Sequence, residues 1–277
     1  MKKEQSQIPG SRSLPILLDY QYDPAFIDLP VVILVHGFKG YKDWGAFSLI
    51  SEYFAERGFF FLKFSFSHGG TTPEHPREFA DLEAFGNNNF SIELNDLDRV
   101  IAYVERLAKT IPLDLKRISL IGHSRGGADV LLKALEDDRI SRVVTWASVL
   151  NVSNYLNEKL LQMIEREGKV EIYNARTKQH MPVYKQFLDD LEANREKYDL
   201  EKRLPAMRQP LLVCHGTADE SVEVKCASKI AKQVARSDLY LLEDAGHTFG
   251  ASEPWLEEQM PGDLLRVVDR TLEFLRL

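Results

Sequence analysis

The run Val31-Val32-Ile33-Leu34-Val35 is apolar at every position and stops at His36-Gly37. A strand that is apolar on both faces must be covered on both faces. That places it inside a parallel sheet with helices above and below. The rest of the chain repeats the theme. Leu14 to Tyr20, Phe59 to Phe64, Arg117 to Ile121, Arg142 to Ser148, Leu211 to Cys214 and Leu239 to Leu242 read as further strands. Trp44 to Arg57, closed by Gly58, reads as a helix, as do Ala128 to Glu136, Val222 to Arg236 and Asp263 to Leu275. Between them Ser91 reads as an N-cap. After it Leu94, Leu97, Val100, Ile101, Val104, Leu107 and Ala108 recur at helical spacing to about Thr110. Such alternation predicts an α/β architecture: a mainly parallel central sheet flanked by helices.

Two stretches interrupt the pattern. Residues 66–90 form a long polar loop with Gly69-Gly70 and Asn87-Asn88-Asn89, a length associated with function or disorder. Residues 150–205 carry charged, helical stretches such as Tyr155 to Arg166 and Tyr184 to Tyr198. They read as a small helical cap inserted after the sixth strand, within one domain spanning 1–277. Residues 1–12 read as a flexible arm.

Three positions carry the chemistry. Gly122-His123-Ser124-Arg125-Gly126 matches G-x-S-x-G and sits between an apolar strand and a helix. A serine on so sharp a turn needs small neighbours, and Gly122, Gly126 and Gly127 supply them. Alone, the pentapeptide also describes an ordinary glycine-rich turn with a serine cap. A serine hydroxyl is a poor nucleophile without an adjacent base. The chain supplies Asp219 just beyond one strand and His247 just beyond the next, in the order Ser, Asp, His. All three fall at carboxyl ends of strands, where open α/β sheets place their sites. The expectation is Ser124 as nucleophile, His247 as general base and Asp219 as the acid that orients it. An oxyanion would need two donors. The backbone N–H of Arg125 and that of Phe38, in His36-Gly37-Phe38-Lys39-Gly40, are the candidates.

Other residues near these motifs read as supports. His36 and His123 are expected to hold loops, His68 to serve its loop or line the pocket, and the Arg125 side chain to pair with an acid. His75, His180 and His215 show no metal spacing, and no P-loop or dinucleotide fingerprint occurs, so neither cofactor nor metal is expected.

Hydrophobic residues make up 44% of the 277, enough for a sizeable core. The net charge of −7 is spread among interspersed acids and bases, which argues against a nucleic-acid partner. No apolar run approaches the length of a membrane span, and polar residues follow Met1-Lys2-Lys3 where a signal peptide would be apolar. The two cysteines, Cys214 and Cys226, form no disulfide framework. A cytoplasmic protein acting on a small-molecule ester is expected, with a homodimer left open.

The segments His36-Gly37-Phe38, Gly122-His123-Ser124-Arg125-Gly126-Gly127, His215-Gly216-Thr217-Ala218-Asp219 and Gly246-His247 resemble the α/β-hydrolase superfamily from about residue 14 onward. The closest likeness is to bacterial dienelactone-hydrolase-like and cinnamoyl or feruloyl esterases. That resemblance implies a carboxylesterase role for the matching triad positions. True dienelactone hydrolases use a cysteine where Ser124 stands, and many feruloyl esterases a glutamine where Arg125 stands. Two other readings fit the same motifs. One is an aminopeptidase or amidase of the prolyl-oligopeptidase-like branch, for which a carboxylate pair such as Glu158 and Glu165 could grip an amine. The other is a non-catalytic binding protein that keeps the fold.

Overall fold

The computed structural model describes residues 1–152 and 156–277. The chain starts with β1 (Lys2–Pro9), β2 (Pro15–Tyr22), β3 (Leu29–Val35), α1 (Phe47–Ala55) and β4 (Phe60–Ser65). There follow α2 (Leu82–Gly86), α3 (Phe90–Leu107), β5 (Leu113–His123), α4 (Arg125–Ala134) and β6 (Ile140–Trp146). The insertion holds α5 (Glu158–Glu167), β7 (Lys169–Asn174), β8 (Gln179–Tyr184), α6 (Gln186–Ala193) and α7 (Leu200–Arg203). The chain closes with β9 (Leu211–Gly216), α8 (Lys225–Gln233), β10 (Ser237–Leu242) and α9 (Gly262–Arg276).

Eight strands form one sheet in the order β1-β2-β4-β3-β5-β6-β9-β10. The β1/β2 and β2/β4 pairs are antiparallel and the rest are parallel. Successive residues of β3 feed opposite layers. Val31, Ile33 and Val35 pack with residues of α3 and α4, whereas Val32 and Leu34 pack with those of α1 and α9. This is the mainly parallel, helix-flanked sheet that the apolar run predicts. Cys214 is buried in β9, and both cysteines are free. Among the described residues no helix is long and apolar enough to cross a membrane.

The structure corrects several local expectations. Residues 1–12 are not a free arm, because Lys2–Pro9 pair along β2 as an edge strand. Its polar residues hide it from periodicity, since an edge strand that meets solvent on both faces has no apolar side. Helix α1 begins at Phe47 rather than Trp44, because Gly45 takes a left-handed φ of +55° that a helix cannot run through. The cap of α3 is Asn89, whose side chain accepts from the Ile92 N–H at 2.9 Å, and Ser91 lies inside the helix. Residues 66–90 are packed rather than loose, with Phe66, Ser67, His68, Thr71 and Phe79 buried and α2 formed within them.

The insertion is not wholly helical: Lys169–Asn174 and Gln179–Tyr184 form an antiparallel hairpin. The expected helix at Tyr155 to Arg166 is present over Glu158–Glu167, while Tyr155 itself lies outside the described residues. The hairpin and α6 are bound to the 79–89 segment. Met181 packs with Phe79 and Phe85, and Tyr184 donates to Glu83 Oε2 at 2.6 Å. Gln186 Nε2 donates to the carbonyls of Gly86 and Asn88 at 3.3 and 3.0 Å.

Candidate active site

Topology decides where the site lies. From β3 the chain crosses to β4 on one side, while β5 lies on the other. The strand ends flanking such a switch leave a crevice. Val35 at the end of β3 is in register with Gly122 of β5, and His123 with Trp146. Leu242 of β10 is in register with Gly216 of β9. The loops carrying Ser124, Asp219 and His247 therefore leave the same edge of the sheet.

Ser124 occupies the single residue between β5 and α4, with φ 56° and ψ −117°. L residues adopt this region at a cost, and it persists only when the surroundings enforce it. Its N–H donates to the Trp146 carbonyl at 2.9 Å, and its carbonyl accepts from Gly127 at 3.0 Å. The turn is tight enough to exclude side chains. A Cβ at Gly122 would lie 2.2 Å from the Gly126 oxygen.

The hydroxyl of Ser124 lies 3.0 Å from His247 Nε2, and His247 Nδ1 lies 2.8 Å from Asp219 Oδ2. The Asp219 side chain is fully buried, while His247 keeps 21% exposure. Burial alone would raise the Asp219 pKa. Hydrogen bonds from His215, His247 and the Val222 N–H outweigh it and hold the carboxyl below its ordinary range. Asp219 is thus an anion across ordinary pH. The other oxygen, Oδ1, accepts from the N–H groups of Ser221 and Val222 at 2.8 and 2.9 Å. The three residues that the motifs single out are brought together at hydrogen-bonding distance.

The loop after β3 passes directly over the serine turn. A Cβ at Gly37 would be 2.9 Å from Ser124 Cβ and 3.5 Å from the Arg125 nitrogen. Phe38 follows at once, its ring 5.3 Å from that of Phe85. Arg125 is the first residue of α4, where N–H groups point out of the helix rather than along its ladder.

The supporting histidines behave as expected. His36 Nδ1 donates to the Gly37 carbonyl at 2.9 Å, and its Nε2 accepts from the Phe66 N–H at 3.4 Å. His123 Nε2 donates to the His247 carbonyl at 3.0 Å. Burial lowers His36 to about 4. Burial, with the nearby His247, lowers His123 to about 3. His68 stays within its own loop, bonded to Ser67 Oγ at 2.8 Å. The Arg125 side chain pairs with Glu93 at 2.8 Å and stacks over Phe90. Of the carboxylates considered for gripping an amine, Glu165 is exposed and paired with Lys185 at 2.6 Å, and Glu158 receives Gln162 at 3.4 Å.

Sequence reasoning missed His215. It is fully buried, and its Nε2 lies 3.1 Å from Asp219 Oδ2 and 2.9 Å from the Val222 carbonyl. It meets the same carboxylate oxygen that His247 does. Its spacing of four from Asp219 across a turn was the available signal. Also missed was a buried ion cluster behind the loop after β3. Lys42 bonds Asp19 at 2.8 Å, Lys63 bonds Asp19 at 3.1 Å, and both lysines bond Asp43. Burial would raise Asp43, but the lysines hold it at about 2.

One expectation follows for stability. A histidine kept neutral by folding takes up its proton more readily when unfolded. Between the unfolded pKa near 6.5 and the folded value of about 4, His36 therefore makes stability fall as pH falls. At about pH 5 its share is roughly 2 kcal/mol, and His123 acts in the same direction. Thermal melts should drop by several degrees from about pH 7 to about pH 5. A flat profile over that window would contradict the neutral assignment.

Comparison with known proteins gives consistent matches. The model of the alpha/beta hydrolase family matches residues 32–263. The quorum-quenching protein AidA of Acinetobacter baumannii is 28% identical over 127 residues, covering 46% of this chain and 38% of that protein. A monoacylglycerol lipase of Bos taurus is 24% identical over 125 residues, covering 45% and 36%. The matched region thus spans well under half the length of these curated relatives. Among solved structures, Est1E of Butyrivibrio proteoclasticus with bound ferulic acid aligns over 98% of this chain and 97% of its own, with TM-score 0.74 and 17% identity. The esterase domain of a Rhodothermus marinus protein aligns over 100% and 98%, with TM-score 0.68 and 20% identity. At these identities the likeness is one of fold.

Proposed function

The chain belongs to the alpha/beta hydrolase family, and from that premise we propose that it is a serine carboxylesterase cleaving small to medium carboxylic esters through an acyl-enzyme. The observation that carries the proposal is the continuous relay from Ser124 through His247 to Asp219, at 3.0 and 2.8 Å. His247 Nε2 takes the Ser124 proton as the oxygen attacks the ester carbonyl. Asp219 fixes the Nδ1–H tautomer and stabilises the imidazolium, remaining ionised itself. The tetrahedral oxyanion accepts from the N–H groups of Phe38 and Arg125. The histidine then protonates the leaving alcohol. Water, deprotonated by the same histidine, attacks the acyl-serine and releases the acid.

The order of loops explains why esters suit the site. The close packing of Gly37 on the serine turn supports the reading that both donors are held before substrate arrives. Each such donor supplies about 10²–10³ in rate. An alcohol leaves readily once protonated, so the reaction needs no further electrophile.

The test is labelling together with kinetics. A fluorophosphonate should add one phosphonyl group to Ser124, read by peptide mass spectrometry. p-Nitrophenyl esters of graded acyl length should be turned over, with an aminoacyl p-nitroanilide as comparison. Label on another residue would overturn the assignment of Ser124. Cleavage of the anilide alone would replace the esterase reading with the amidase one.

A further inference from the structure

Two cations flank the loop that carries Phe38. Lys39 is the next residue and takes a left-handed φ of +59°. Its Nζ lies 5.7 Å from the Phe38 ring centroid. From Gly37, which abuts Ser124, two peptide units of about 3.8 Å each reach Lys39, so its Cα is within about 12 Å of the serine. A lysine side chain spans most of that gap.

The second cation comes from the insertion. Arg176 sits in the turn between β7 and β8, and its guanidinium lies 5.7 Å from the Tyr41 ring and 5.6 Å from that of Phe79. Tyr41, Phe79, Phe85 and Met181 form one cluster with Phe38 packed against it. Arg176 and Lys39 therefore border one aromatic cluster, Arg176 at Tyr41 and Phe79 and Lys39 at Phe38. Among the described residues neither has a carboxylate partner within salt-bridge distance. Glu253, an acid beside Tyr41, is engaged by Arg77 at 3.4 Å and by the Gly45 N–H at 2.5 Å. Burial, and then Arg176, lower the Lys39 pKa. The two cations thus lie within electrostatic reach of each other, and among the described residues neither is in an ion pair.

Two like charges over an apolar floor repel each other, and an oxyanion between them removes that repulsion. A guanidinium offers a planar fork suited to carboxylate or phosphate, and an ammonium offers a point charge beside it. The pair is conspicuous in a chain of net charge −7, because a local positive mouth concentrates anions that the whole molecule would repel.

We infer that Lys39 and Arg176 form an anion subsite, and that the substrate is an ester bearing a second, anionic oxygen group that they hold while Ser124 attacks the ester carbonyl. The inference rests on the esterase reading for its reaction, though not for its binding. Lys39 and Arg176 are specificity residues and take no part in bond making.

The experiment compares mono-p-nitrophenyl glutarate, which carries a free carboxylate, with neutral p-nitrophenyl pentanoate of similar length. The native enzyme should favour the half-ester by about tenfold or more in kcat/KM, and raising salt from about 0.02 to about 0.5 M should erode that preference. K39Q and R176Q should each lower kcat/KM for the half-ester about five- to tenfold, through KM, and leave the pentanoate within about twofold. R176E should reverse the preference. Competition by glutarate and by glycerol phosphate against the half-ester ranks carboxylate against phosphate as the natural anion. An unchanged half-ester to pentanoate ratio in all three variants would overturn the subsite.

If neither ester is cleaved, equilibrium binding decides the subsite separately. Glutaramate, the monoamide of glutaric acid, titrated into S124A should bind and should lose affinity in S124A/R176Q. That result would keep the subsite while the esterase reading fell. Equal affinity in the two proteins, or no binding to either, would overturn the subsite.

Discussion

Ser124→Ala is expected to lower kcat/KM on every ester by about 10⁴- to 10⁶-fold. The expected size follows from what is lost and what stays. The covalent route disappears, because among the described residues no other hydroxyl is bonded to His247 Nε2. The N–H groups of Phe38 and Arg125, the proposed oxyanion donors, remain, so a residue of rate above the uncatalysed reaction persists. Alanine at this turn is no more strained than serine, since both must adopt φ 56°. The side chain contributes no cap bond to α4. The melting temperature should therefore stay within a few degrees of the native value. Loss of turnover with an unchanged melt assigns the loss to chemistry. Near-native turnover would remove the mechanism proposed for this site.

Gly126→Ala is expected to be among the most damaging single methyl additions. The new Cβ would stand 2.4 Å from the Val35 carbonyl oxygen and 2.5 Å from that of His36. Both are backbone atoms, so no rotamer change relieves the clash. Either α4 or the end of β3 must move. Overpacking typically costs about 1–3 kcal/mol, and a backbone collision belongs at or above the top of that range. For a chain of this size that is a fall of roughly 10 °C in melting temperature. Activity should fall further than stability alone predicts, through kcat, because the displaced segment leads straight into Phe38. Gly262→Ala is the control. No atom lies within 4 Å of its Cβ position, and it begins α9. It should melt at or slightly above the native temperature. If Gly126→Ala melts as Gly262→Ala does, the close approach of β3 to the serine turn is wrong.

Much of this was legible in the sequence because the informative signals are local. Ser124 follows an apolar strand within a glycine-flanked pentapeptide. Asp219 and His247 each lie a few residues beyond another strand, and parallel topology does the rest by aligning strand ends. The signals that failed are those that depend on partners distant in the chain. Lys2–Pro9 becomes a strand only because β2 offers an unpaired edge. The hairpin Lys169–Tyr184 alternates weakly because Met181, Pro182 and Val183 are buried in succession in its second strand. Asn89 rather than Ser91 caps α3, a shift of two residues among several adjacent polar candidates that could each have served. His215 supports Asp219 through a pairing that its motif alone does not reveal, and Glu93 finds Arg125 only through the docking of α3 on α4. Side-chain pairing of this kind is decided by packing, which periodicity does not encode.

The clamp between the insertion and residues 79–89 has a consequence for how such a protein can diversify. Bond-making groups hang from the ends of β5, β9 and β10. The clamp instead joins two excursions from the sheet, through Tyr184–Glu83 and the Gln186 contacts to Gly86 and Asn88. Under the proposed function, substitutions in the hairpin act on this clamp and leave the contacts among Ser124, His247 and Asp219 in place. On that reading, what the protein admits and what it does to a bond are set by separate parts of the chain.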